Sequence, residues 1–369
     1  MNRPSVSRLR IPTGIVEAIV LYVLCIGAAL VLSALLVELT GGSAGDVFSA
    51  LLDGSVRNPG RVGTTIGTAI PLLLVACGVI VSSRAGLVNI GQEGQLLIGA
   101  ACGAYVGTKI EGPGPLMLAA LLLAGAAGGA IWASIAATLK YVRNVPEVLT
   151  TLLLVTIASQ LVGYGLKKQW LLLAPAEGRS NRQQISKQLA TDTRIPRVTW
   201  FGNEFPVSGI AAVLIAIALG LVLARTVWGF RLRMLGQNPR TAQRVGVSES
   251  RFGSTALLID GAFAGVAGAV MLGGGDFGNY TLVPGFSSDI GWTGLLVALV
   301  AGRRAGAAIV VAFVFASLRT GSGFLASTGV ERRITDVIQG LLVLALLVPP
   351  ALLFLRQRRR ALAATKERT

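Results

Sequence analysis

Histidine is absent from the 369 residues. Its absence excludes a His-containing catalytic triad, a His zinc site and a histidine general base. Charge is also scarce: 14% of residues are Asp, Glu, Lys or Arg, where a soluble domain carries ~25%. The three cysteines, Cys25, Cys77 and Cys102, lie inside apolar runs without metal-ligand spacing and read as buried thiols. No Gly-x-x-x-x-Gly-Lys-Ser/Thr phosphate loop occurs, which argues against ATP hydrolysis through that motif. The clear acids within apolar runs are Glu17, Glu93, Glu147 and Asp260, too few for a proton relay. No nucleophile–base constellation supports a membrane-embedded enzyme, and no metal site or catalytic residue is assigned.

What is present is apolar: 53% of the chain is hydrophobic, in long runs. The run Ile15–Val37 follows Arg3, Arg8 and Arg10 and exceeds the ~7–15 residues of a signal-peptide core. It is expected to be an uncleaved first span. Further spans are expected at Thr64–Val81, Gly86–Gly107, Leu116–Leu139, Val145–Leu166, Val207–Ala224, Ser254–Leu272, Ile290–Ala301, Ala305–Leu318 and Ile334–Leu355. This predicts an all-α, polytopic transmembrane helix bundle of about ten crossings with both termini cytoplasmic. Residues 1–14 and 356–369 are basic tails around a membrane domain at 15–355, with 167–206 an external loop and 225–253 a cytoplasmic one.

The net charge of +16 is spread among the connections rather than gathered on a folded domain with interleaved aromatics. It therefore reads as topological and not as a nucleic-acid surface. The loop Lys167–Pro206 holds seven Lys/Arg against that rule, yet stays outside by parity. The run Ile290–Ala301, ~18 Å as a helix, and Ala305–Leu318 are short for a ~30 Å hydrocarbon core. They flank Arg303 and Arg304, as broken or tilted helices around a pathway do.

Between two apolar runs stands Gly86-Leu87-Val88-Asn89-Ile90-Gly91-Gln92-Glu93-Gly94-Gln95. A charged side chain at the bilayer centre costs about 2.5–3.5 kcal/mol on insertion scales, so such residues face a protein interior or a water-filled path. Two readings of Asn89, Gln92, Glu93 and Gln95 stand together. They line a pathway and contact substrate, or they satisfy backbone freed by the glycines and stitch helices together. Thr150 and Thr151 either line the same cavity or bond carbonyls of their own helix. Phe286 and Trp292 could stack on a base, although Trp292 also suits an interface anchor. Asp289 is expected to cap a helix at Ile290.

In the cytoplasmic loop, Gly236-Gln237-Asn238-Pro239-Arg240-Thr241-Ala242-Gln243-Arg244-Val245-Gly246 reads as a turn, a short helix and a glycine stop. Asn238 caps, Pro239 suits the first turn and Gly246 the end. Such a helix is either a docking peg for another subunit or an ordinary basic loop.

The polar stretch, followed by Leu96-Leu97-Ile98-Gly99-Ala100, resembles the Gly-Leu-hydrophobic-Asn-Ile-Gly-x-Glu-Gly-Gln motif of ABC importer permeases. Within these it resembles the superfamily that serves nucleosides, simple sugars and branched-chain amino acids, and looks most like the longer of the paired nucleoside permeases. Val145–Thr151, Gly261–Gly268 and Ile338-Gln339-Gly340 fit that family in order, over roughly residues 60–350. Pro146 stands where the family has Asn, Val155-Thr156 where it has Asn-Tyr, and Arg303-Arg304-Ala305 where a Gly-Asn-x-Pro turn is common. The resemblance implies a transport subunit of the cytoplasmic (inner) membrane, not an enzyme, that imports nucleosides. It also implies three partners: a cytoplasmic ATP-binding cassette ATPase, a second permease chain and an extracellular or periplasmic substrate-binding protein. On this resemblance Gly236, Asn238, Pro239, Arg240, Ala242, Arg244 and Gly246 form a coupling helix against the ATPase. This chain itself would bind no cofactor, ATP being used by the partner. Simple sugars such as ribose, or autonomous ion-coupled transport through Glu93, are the alternatives.

Overall fold

The computed structural model describes residues 13–39, 43–175, 184–200, 202–325 and separate helical positions between 337 and 356. The expected tails lie almost wholly outside the described residues, and the expected span Ile334–Leu355 is described only at separate positions. The chain divides into two units, Met1–Leu52 with Gly321–Thr369, and Asp53–Thr320. The first holds α1 (Thr13–Leu39) and α2 (Ala44–Leu52). There Glu17 pairs with Arg356 at 2.8 Å, which answers an acid in an apolar run.

The second unit carries α3 (Arg61–Arg84), α4 (Gln92–Lys109), α5 (Gly114–Arg143), α6 (Glu147–Gly165), α7 (Ser208–Arg225), α8 (Val227–Gln237), α9 (Pro239–Arg244), α10 (Glu249–Gly274) and α11 (Ile290–Val300). A further helix, α12 (Ala305–Leu325), begins in it. A two-stranded antiparallel hairpin, β1 (Arg197–Trp200) and β2 (Asn203–Pro206), pairs Arg197 with Pro206. Local signals place the boundaries. Asn144, left-handed at φ +56°, ends α5, and Pro146 precedes the first turn of α6.

Among the described residues, seven helices are long and apolar enough to cross a membrane. The 18-residue α4 is not among them, because its first turn is Gln92-Glu93-Gly94-Gln95. The 11-residue α11 is ~16 Å long. The expected crossing Gly86–Gly107 is thus an irregular stretch followed by a helix. Conversely, α12 runs past the expected stop at Leu318 to 21 residues. Its polar end is accommodated: Arg319 Nη2 donates to the Ser288 carbonyl at 2.6 Å, and the hydroxyls of Thr320 and Thr65 lie 2.9 Å apart.

The core is α3, α4, α5 and α10. Their contacts are made by glycine: a side chain at Gly129 would strike the Gly261 carbonyl, and one at Gly265 the Gly125 carbonyl. In lipid, where burial of apolar side chains supplies no drive between helices, such backbone contact is what holds them. At one end of this core Arg84 donates to the carbonyls of Leu223 (3.4 Å) and Arg303 (3.3 Å), and Lys140 pairs with Glu147 at 2.6 Å. At the other end Ile195 N donates to Gly273 O at 2.9 Å, and Gly63 N to Asn203 Oδ1 at 3.4 Å.

Candidate functional site

After Arg84 the chain turns through Gly86 at φ +79°. A Cβ there would sit 2.9 Å from the Cα of Gly236 in the last turn of α8, so this position demands glycine on both counts. Residues 87–91 are not helical, and backbone freed at membrane depth must find partners. It finds them in side chains: Val88 N donates to Glu147 Oε1 (3.4 Å), Ile90 N to Thr151 Oγ1 (3.2 Å) and Gly91 N to Asn89 Oδ1 (2.9 Å).

The polar side chains then converge on Asp260. It stands eleven residues into α10, ~16 Å from the start of that helix and near its middle. Asp260 Oδ2 accepts from Ser82 Oγ (2.6 Å), Asn89 Nδ2 (2.9 Å) and Gln92 Nε2 (3.3 Å). Asn89 Nδ2 also donates to Gln95 Oε1 at 3.1 Å, and Gln92 Nε2 to Asn89 O at 3.0 Å. All are buried, Asp260 completely. Among the described residues Asp260 has no ion-pair partner and its Oδ1 no hydrogen bond; a Cβ on Gly78 would lie 2.7 Å from that oxygen. Amide and hydroxyl dipoles thus solvate the carboxylate from one side.

Glu93 turns to the opposite partner. Its Oε1 accepts from Asp289 N (3.2 Å) and its Oε2 from Gly291 N (2.7 Å), at the first turn of α11. Two helix N-termini, those of α4 and α11, therefore meet at this carboxylate, where the positive ends of both dipoles favour it. Asp289 occupies the N-cap position but makes no side-chain cap bond. This corrects the expectation for Asp289: its left-handed backbone, φ +62°, accompanies a cap supplied by Glu93 from another helix. Arg319, bonded to the Ser288 carbonyl, is close enough to interact electrostatically with Asp289 and Glu93.

Of the other expected site residues, Thr150 Oγ1 bonds Pro146 O (3.1 Å) and Thr151 Oγ1 bonds Val148 O (3.2 Å), so both serve their own helix. Phe286 is buried and Trp292 half-buried. The structure brings Asn89, Gln92 and Gln95 together, places Glu93 next to them on the α11 side, and packs Thr151 against the irregular backbone. Ser82 carried no signal in the sequence. Asp260 did, as an acid within an apolar run, but its partners lie far off in the chain. Polar groups that do remain exposed stand on α6: Thr156, Ser159 and Gln160.

The second candidate surface follows α8. Asn238 Oδ1 accepts from Thr241 N at 3.1 Å, Pro239 starts α9, and Gly246 ends it at φ +82°. Ala242 is fully buried beneath the helix, while Arg240 and Arg244 are exposed above it. Gly236 packs against the Arg84–Gly86 backbone, so the last turn of α8, just before α9, rests on the start of the polar stretch.

The family described as branched-chain amino acid transport system / permease component matches residues 62–347. The guanosine ABC transporter permease protein NupP of Bacillus subtilis is 31% identical over 84% of this chain and 88% of its own length. The glucose ABC transporter permease protein TsgB13 of Haloferax volcanii is 30% identical over 76% and 74%. The nucleoside ABC transporter permease protein NupB of Lactococcus lactis is 26% identical over 81% of each chain. Further permease proteins of the same two descriptions and organisms, NupQ and NupC, match as well. With its apolar helices and buried polar centre, the chain belongs to the branched-chain amino acid transport system / permease component family and is a multi-pass membrane permease of the ABC transporter class.

Proposed function

We propose that this chain imports nucleosides across the cytoplasmic membrane together with a second permease chain, separate ABC ATPase subunits and an external binding protein. The observation that carries the substrate is the likeness to guanosine and nucleoside permeases over more than four-fifths of the chain. The paired relatives from single organisms support the second permease chain. Arg84, Lys140, Arg225, Arg240 and Arg303 mark the cytoplasmic end, which leaves both termini inside when α4, α11 and the final segment are counted as crossings. ATP acts on the partner ATPase, and α9 receives its push.

The path follows the exposed face of α6. Thr156 and Gln160 stand ~14 and ~20 Å along that helix, and an unpaired amide there is too costly to leave in lipid. The Asn89–Gln92–Gln95–Asp260 cluster and Glu93 form the wall behind that face, with Thr150 and Thr151 at its cytoplasmic end. Of the two aromatics, Trp292 is the one not fully buried, so stacking on a base falls to it. A sugar substrate is the second reading, which the likeness to the glucose permease supports.

A labelled-uptake panel in the native cell, with and without this chain, tests the reading. It covers purine and pyrimidine nucleosides, ribose, glucose and a branched-chain amino acid. Selective loss of nucleoside uptake, restored by wild type and not by Gln160→Ala, is expected. Loss of glucose or ribose uptake alone overturns the substrate.

A further inference from the structure

A cavity of about 470 Å³ lies between α4, α5 and α6 and opens on the surface of the helix bundle. Its lining is almost wholly apolar, and Tyr105, Ile131 and Leu161 stand 44%, 66% and 48% exposed along it. The volume is within the ~300–1,000 Å³ of small-molecule sites. Leu161 and Gly165 point away from Thr156 by more than a third of a turn at 100° per residue, so this face is separate from the one assigned to the path.

The groove has a charged end. Tyr105 and Val106 line it, and Lys109 continues their stripe on α4, three and four residues on. Lys109 Nζ donates to Gln169 O at 2.7 Å, which fixes the ammonium at the groove mouth. Lys167 and Lys168 follow Gly165 after Leu166, and Lys168 Nζ lies 5.4 Å from the centre of the exposed Tyr164 ring. In residues 107–112 and 165–172 the single acid is Glu111, against three lysines. Two other basic groups of the 167–206 loop are engaged internally. Arg194 bonds Leu189 O and stacks on Tyr280, and Arg197 pairs with Asp276 at 3.0 Å. Among the described residues Lys167 and Lys168 have no acidic partner.

We infer that this groove binds an anionic phospholipid, one acyl chain between α4, α5 and α6 and the phosphate at Lys109, Lys167 and Lys168. The inference rests on the membrane setting of the chain and not on its nucleoside substrate; the leaflet, the external one, follows from the proposed orientation. It also accounts for lysines held outside against the positive-inside tendency, since the charge has a ligand there.

The test is native mass spectrometry of the full-length chain. It compares retention of phosphatidylglycerol with that of phosphatidylcholine carrying the same acyl chains. Wild type is expected to prefer phosphatidylglycerol, and each lysine removed should cost about five-fold of that preference. Lys167→Ala/Lys168→Ala should bring the two lipids close to parity, and Ala127→Trp, which fills the groove, should lower retention of both. Ile131→Trp replaces Ala127→Trp if melting shows that the latter fails to fold. Unchanged preference in the lysine variant overturns the proposal. Unchanged retention in the filled-groove variant does so too, since phosphate would then bind without the chain. Loss of association with a second permease chain, with lipid retention intact, would make the groove a subunit interface instead.

Discussion

Replacing Asp260 is the sharpest test of what holds the polar centre together. Asp260→Ala removes the acceptor for Ser82 Oγ, Asn89 Nδ2 and Gln92 Nε2 at one stroke, in a site with no exposed surface. At ~0.6 kcal/mol per interhelical hydrogen bond in membranes the loss is about 2 kcal/mol. At ~1.5 kcal/mol per bond to a charged acceptor it is about 4.5 kcal/mol. Either value is a large share of a stability of roughly 5–15 kcal/mol. Ser82→Ala deletes one donor of the three and should cost about a third as much. Because the two share a bond, Ser82→Ala in the Asp260→Ala background should cost close to nothing. The assay is thermal melting of the detergent-purified chain, with substrate uptake measured beside it. An Asp260→Ala chain that melts and transports like wild type refutes the view that this carboxylate ties residues 82–95 to α10. Strictly additive single and double variants refute the assigned geometry.

Other outcomes follow from the same contacts. Glu93→Ala uncaps α11 and should lower stability by about 1–2 kcal/mol, whereas Glu93→Gln, which keeps one acceptor for Asp289 N or Gly291 N, should lose less; melting of both variants checks this. Gly236→Ala forces a methyl into the Arg84–Gly86 backbone, so ATP-driven uptake should fall in vesicles even where the chain is present at wild-type level. Asn238→Ala removes the cap of α9 and about 1 kcal/mol of local helix stability, visible as faster amide exchange across 239–244 with little change in melting. Gln160→Leu should leave melting unchanged or raised while uptake falls, since the exposed amide has no bond among the described residues to lose.

Features governed by neighbours in the chain were legible in the sequence. The α9 segment is the clearest case: Asn238, Pro239 and Gly246 take up the cap, first turn and stop that their chemistry favours. The polarity of Gly86–Gln95 likewise announced a buried centre, and Thr150 and Thr151 donate to carbonyls three or four residues back, as threonines in apolar helices do. What the sequence left open depends on residues far apart. Asn89 and Asp260 are 171 positions apart, and Glu93 caps a helix 198 positions away. The local preference for Asp at an N-cap pointed to Asp289, and tertiary placement of Glu93 overrode it. The same holds for α12, expected to end at Leu318: Arg319 and Thr320 find partners on other segments and the helix continues.

The glycine contacts of α10 have a mechanical consequence. Three residues separate the end of α9 from Ser248, whose side chain accepts from Arg251 N to start α10. From there a single helix reaches Asp260, and Gly261, Gly265 and Gly268 seat it on α4 and α5 with no side chain between the backbones to absorb play. A force applied at α9 thus enters a shaft without backlash. The polar stretch is gripped at both ends, by Gly236 near the surface and by Asp260 at mid-depth. A displacement of the peg must either carry Asn89 and the start of α4 with it or break their bonds.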